Sequence, residues 1–266
     1  IRSEPRAVSK VECKGHVQSR SQIWKGAAAA VCLAVAIVVL ATVSGYGAAA
    51  VFDIWSQIKE ARAFAPGEPE ALVTGRVAIS LFAFQAVTVS SVFLANAHRR
   101  RVSGVPFLNF DMPPGGIKTL ALSIVVLMSL AVLFASCVFV FNPDALRHDL
   151  QPFAEMMKSR TWWLILLAAG IGAPLAEECL FRGLLFGALR PSPLGFTGAA
   201  LFTAVTWALL HANYSPYGLA AITLIGLYLA WLRERTGSLL TPMVCHGAYN
   251  SLIILLMAFS AGGSFG

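Results

Sequence analysis

Long apolar runs, broken by short polar clusters, set the rhythm of this chain. They cover about 24–50, 77–97, 117–141, 161–188, 196–213, 217–232 and 238–260. Several contain 18 or more uncharged residues in succession. A helix rising ~1.5 Å per residue needs about that length or slightly more to cross a hydrocarbon layer ~30 Å thick. Between the runs lie connectors: 52–76 carries APGEPE, and 98–116 carries RRR and MPPGG, whose prolines and glycines interrupt regular structure. Residues 144–160, DALRHDLQPFAEMMKSR, read as an amphipathic helix at the membrane surface ahead of the fourth span. The pattern predicts an all-α, polytopic integral membrane bundle of about seven transmembrane helices, eight at most. It contains no internal repeat.

Composition agrees with this. Only 12% of the 266 residues are charged and 57% are apolar, with mean hydropathy +0.71. A soluble domain carries roughly 25% charged residues. The net charge of +7 does not imply nucleic acid as a partner, because the basic residues occupy the connectors of a chain whose partner is the lipid bilayer. Lys and Arg number 13 on the N-terminal side of the membrane and 6 on the other, Arg182 being the twentieth. That excess places the N-terminus in the cytosol, and the short loops suggest a bacterial inner membrane. The first residues, 1–23, read as a short basic cytosolic tail or a translation start placed too far upstream; no secretory cleavage pattern follows. Residues 24–160 form a non-catalytic set of spans, and 161–260 a separate polar-bearing core. Five cysteines make no CxxC pair, and four sit in apolar runs, where they read as packing residues.

That core raises the chemical question. The stretch APLAEECLFRG, residues 173–183, carries Glu177, Glu178 and Arg182 into a span, where a charge costs ~2.5 kcal/mol or more. Apart from Lys25 and Lys118 at the span ends, His211 and His246 are the other charged or imidazole residues in spans, whereas Asp53, Asp111, Asp144 and Asp149 all fall outside them. Counted by helical rise from the cytosolic ends, Glu177, His211 and His246 lie roughly 20, 24 and 17 Å deep. Glu178 and Arg182 are i,i+4 neighbours, as are Trp207 and His211 in WALLH and His246 and Asn250 in HGAYN. Glu177 is turned about 100° from Glu178 and is left out of the ion pair. One Glu–Arg pair can simply lock two helices, and one histidine can bond a carbonyl. A second glutamate, two histidines and an amide at one depth point to a site instead.

Several chemistries are missing. There is no HExxH, no aspartate in a span, and no GxSxG turn. A carboxylate with two histidines and an amide suits activation of water and stabilisation of an oxyanion. Glu177, His211 and His246 could also supply three zinc ligands. We expect no required cofactor, with zinc as the alternative. His246 and Asn250 on one face suit donation to an oxyanion, and a metal-bound His246 could not donate through the same nitrogen. Glu178, the obvious acceptor for the other nitrogen, is expected to be occupied by Arg182.

The ordered motifs EECLFR, WALLH and HGAYN resemble the EExxxR, aromatic-xxx-His and HxxxN signatures of the CPBP (CAAX-protease and bacteriocin-processing, or Abi) family of intramembrane proteases, over roughly residues 161–260. Trp207 stands where that family often has Phe. The resemblance implies that Glu177 is the general base, that His211 orients or activates water, and that His246 and Asn250 stabilise the oxyanion. Glu178 and Arg182 would shape the site, with Trp207 in support. It implies an intramembrane endopeptidase acting near a membrane anchor, on a prenylated or otherwise tailed protein such as one bearing a bacterial C-terminal sorting or leader segment. The alternative is a non-proteolytic scaffold or bacteriocin-immunity protein of the same fold.

Overall fold

The computed structural model describes residues 20–61 and 69–262. Most of the expected basic tail, Cys13 and part of the 52–76 connector lie outside them. Among the described residues, α1 is Arg20–Ala61, α2 Pro69–Ser103, α3 Ile117–Phe141 and α4 Pro143–Met157. They are followed by α5 (Trp163–Leu189), α6 (Gly195–Leu209), α7 (Pro216–Thr236) and α8 (Leu240–Gly262). Six of these are long and apolar enough to cross a membrane; α6, also apolar, is shorter. The chain is a polytopic helical bundle of about seven apolar helices, with α4 as the amphipathic addition.

The bundle is inside-out by soluble standards. Val39, Leu40, Val43, Leu133, Phe139 and Leu256 face outwards, where lipid replaces water. Hydroxyls inside the apolar helices bond their own backbone: Ser44 to Leu40 O, Thr88 to Phe84 O, Ser129 to Val125 O and Thr203 to Ala199 O. That removes the cost of an unpaired donor in hydrocarbon. The interior is built around α5, whose residues Cys179–Phe186 are all buried, with Phe181, Leu127, Leu229 and Leu239 in one apolar cluster.

Two segments depart from the sequence reading. Helices α1 and α2 continue past the expected spans, so Asp53 lies in a helix, where Arg76 of α2 pairs with it at 2.9 Å. Residues 51–61 contain no glycine or proline to break the helix, and the neighbouring helix neutralises the charge. The 98–116 connector is only partly solvated. Asn96 Oδ1 accepts the N–H groups of Phe107 and Leu108, both buried, and Leu108 packs on Gly183 of α5.

The α6–α7 hairpin places the second motif. Helix α6 has 15 residues, about 22 Å of rise, and ends at Leu209, short of the expected 213. His211 therefore sits in the turn leading to α7. Ser215 caps α7 by accepting Gly218 N–H, and Pro216 occupies the first turn, where its missing N–H costs nothing. Gly226 lets the two helices close up: a Cβ there would come 2.9 Å from Ala204 Cβ and 3.1 Å from the Trp207 ring.

Candidate active site

Helix α5 is widened into π turns at Leu166–Gly172 and Cys179–Leu185, on either side of Ala173–Glu178. Proline explains the first. In the widened ladder, Ala173 N–H reaches Ala168 O, five residues back, so residue 174 would serve Ala169 O. Pro174 has no N–H to give. The freed carbonyl accepts instead from Asn250 Nδ2, at 2.8 Å. Its neighbour Ala168 O also accepts from Gln85 Nε2 of α2, at 2.8 Å. Two helices thus grip α5 immediately before its glutamates.

The two glutamates meet different surroundings. Glu178 and Arg182 are wholly buried and paired at 2.9 Å. Arg182 also donates to Gly226 O at 3.1 Å, and its guanidinium lies 4.6 Å from the Trp207 ring centroid. Glu177 keeps 19% of its side chain exposed, and its Oε2 accepts Trp207 Nε1–H at 2.7 Å. The expected separation of the carboxylates is therefore present. Trp207 gives Glu177 an N–H that phenylalanine lacks.

Glu178 does more than the sequence reading allowed. Its Oε1 accepts from both Arg182 and His246 Nδ1, the latter at 3.0 Å, so the arginine does not use it up. One carboxylate oxygen has more than one lone pair to offer. With its proton on Nδ1, neutral His246 leaves Nε2 as an acceptor, and Asn250 Nδ2 lies 3.3 Å from it. Nε2 is also 3.9 Å from Glu177 Oε2. His211 is arranged similarly. Its Nδ1 is 3.1 Å from Trp207 O, which can only accept, so Nε2 carries the lone pair.

A cavity of about 950 Å³ joins these groups. Glu177, Trp207, His211, His246 and Asn250 line it, whereas Glu178 and Arg182 stand behind the wall. Much of the remaining lining is apolar, from α3 and α4 as well as α5–α8. Sequence reasoning passed over three further lining residues. Gln85 carries no charge and belongs to no motif that would mark it. Tyr214 and Asp149 lie outside the motifs, and only the fold brings them to the cavity. Burial pushes the Tyr214 phenol up to about 12, with Asp149, Tyr249 and Glu177 adding to the effect, so it stays a neutral donor.

A catalytic zinc would need three protein ligands here. A carboxylate on Nδ1, as Glu178 is on His246, is what a metal-bound histidine commonly shows. Yet among the described residues no three of His, Cys, Asp and Glu form a group able to hold a metal. Glu177, His211 and His246 share the cavity without converging as a ligand set. The described cysteines, Cys32, Cys137, Cys179 and Cys245, are free thiols, the last two buried.

Residues 159–252 match the model of the Rce1-like family, described as "Type II CAAX prenyl endopeptidase Rce1-like". This segment is similar to the CPBP family that its motifs resemble. It contains all three motifs and every site residue but those supplied by α2 and α4. Similar curated proteins are "Putative membrane peptidase YdiL" of Bacillus subtilis (29% identical over 93 residues) and "UPF0177 protein YxdF" of Lactococcus lactis (28% over 81). An "Uncharacterized 24.3 kDa protein" of Escherichia coli is 37% identical over 95 residues. These matches cover 35%, 30% and 35% of this chain, and 37%, 43% and 43% of the relatives. The chain thus spans less than half the length of each. No solved structure matches it.

Proposed function

We propose that the chain is a membrane-embedded endopeptidase that hydrolyses a peptide bond near a membrane anchor or C-terminal tail, using water activated by Glu177. One observation carries this reading: of two adjacent buried-helix carboxylates, one is sealed in an ion pair and the other reaches a cavity with its second oxygen held by Trp207. Glu177 takes a proton from water as the oxygen attacks the substrate carbonyl. His211 Nε2 accepts the other hydrogen and orients that water. The negative charge developing on the carbonyl oxygen is met by Asn250, which exchanges its 3.3 Å contact with His246 Nε2 while Ala169 O keeps the amide in place. His246, its Nδ1–H held by the Glu178 carboxylate, keeps Nε2 beside Asn250 and so positions that donor. When the C–N bond breaks, Glu177 returns its proton to the leaving amine. No metal is routed through this sequence.

The apolar cavity supports a substrate whose tail is itself apolar or lipid-anchored. The bacterial source of the relatives favours a bacterial cytoplasmic membrane, and the bias of Lys and Arg favours a cytosolic N-terminus. The test uses the full chain in liposomes with an internally quenched peptide that carries a farnesylated CAAX terminus, and a second set with an unmodified apolar tail. Cleavage lost in Glu177→Gln supports the enzyme. A phenotype of the intact cell that ignores this substitution supports the scaffold.

A further inference from the structure

The geometry points to Asp149, in α4, as the residue that positions His211 for this reaction, a proposal that rests on the catalytic reading of His211. Asp149 belongs to the amphipathic helix, yet its side chain is only 9% exposed. Its Oδ1 accepts the Ser215 backbone N–H and its Oδ2 the Ser215 hydroxyl, both at 2.7 Å. The same hydroxyl accepts Gly218 N–H at 3.1 Å and so begins α7. Glycine at 218 leaves room for the Asp149 carboxylate, which a Cβ there would have to displace.

These bonds end four residues from His211. The intervening turn is tied by Tyr214 N–H to His211 O at 3.0 Å and His211 N–H to Ala208 O at 2.9 Å. The Tyr214 and His211 rings lie 5.9 Å apart. Helix α6 has already ended, so its ladder does not fix His211 on the C-terminal side. The carboxylate of α4 does. His148 Nδ1, 3.1 Å from Asp149 Oδ1, is a further partner on the exposed side. Asp149 lies outside residues 159–252, so this support comes from a helix beyond the matched segment. A misplacement of ~1 Å at a catalytic group can cost 10²-fold in rate.

The experiment follows two readouts in the purified full chain. One is the rate at which diethyl pyrocarbonate modifies His211, relative to His98, by peptide mass mapping. The other is kcat and KM for the farnesylated quenched peptide. Asp149→Ala should speed His211 modification about fivefold and lower kcat about 10- to 100-fold, with KM within about threefold. Asp149→Asn keeps an acceptor for the Ser215 N–H and should restore most of both. Asp149→Ala combined with Ser215→Ala should be no worse than Asp149→Ala alone, since the two act as one unit. Asp144→Ala, on the same helix and exposed, is the control that leaves both readouts unchanged. Unaltered His211 modification in Asp149→Ala, or additive effects in the double variant, overturns the proposal. If the wild-type chain cleaves neither peptide, the endopeptidase reading fails, and the modification rates still decide whether Asp149 holds His211.

Discussion

Glu177 and Glu178 are neighbours in sequence and opposites in surroundings, and substitution should separate them. Glu177→Gln keeps the Trp207 contact and the shape, so cleavage should vanish while the melting temperature stays within about 2 °C of the parent. Glu178→Ala or Arg182→Ala strands a buried charge. Each should cost ~3–5 kcal/mol and show as a lower melting temperature or poorer yield in detergent. Equal melting curves for all three variants would contradict this division. Trp207→Phe keeps the ring beside Arg182 and His246 but removes the N–H to Glu177, so kcat should fall about tenfold with KM little changed; a hydrogen bond to a charged group is worth ~1.5–3 kcal/mol. Asn250→Ala should cost about 10²–10³-fold in kcat, the usual effect of one oxyanion donor.

At the scale of the element, the widened turn of α5 ties backbone irregularity to chemistry. Pro174 withholds an N–H, Ala169 O becomes available, and Asn250 is drawn to it. Pro174→Ala supplies the missing donor, which competes with Asn250 and relaxes the turn. Stability should hold or rise, because proline inside a helix costs ~3 kcal/mol. Activity should drop about tenfold or more, because Glu177 and Asn250 both shift. Paired thermal-shift and kinetic measurements check this, and a variant both stable and fully active would refute the link. Gln85 closes the neighbouring carbonyl from α2, so the first spans also take part in shaping the site.

Across the whole molecule, the cavity unites side chains from helices far apart in sequence, within a bundle whose outer surface is apolar. If water is activated by Glu177 alone, protein stripped of metal with a chelator should keep its activity, and elemental analysis should find no stoichiometric zinc. Activity lost on stripping and restored by zinc would replace the Glu177 mechanism with a metal-assisted one and leave the peptidase reading standing. The charge bias makes a further claim: Cys13 should resist an impermeant maleimide in intact cells and react after permeabilisation.

By itself the sequence determined the apolar helices, because burying a backbone in lipid permits few alternatives and needs runs of a fixed length. It also determined the local pairs. Spacing of four put Glu178 beside Arg182 and His246 beside Asn250, since helical neighbours follow from rise and rotation alone. Only the tertiary structure decided that Glu178 serves Arg182 and His246 together, and that Trp207 reaches Glu177. Those contacts join residues 30 to 68 positions apart, and no local period encodes them. The early end of α6, the widening of α5 and the grip of Asp149 on Ser215 belong with them. Each depends on which partner stands opposite, and packing between helices chooses that partner.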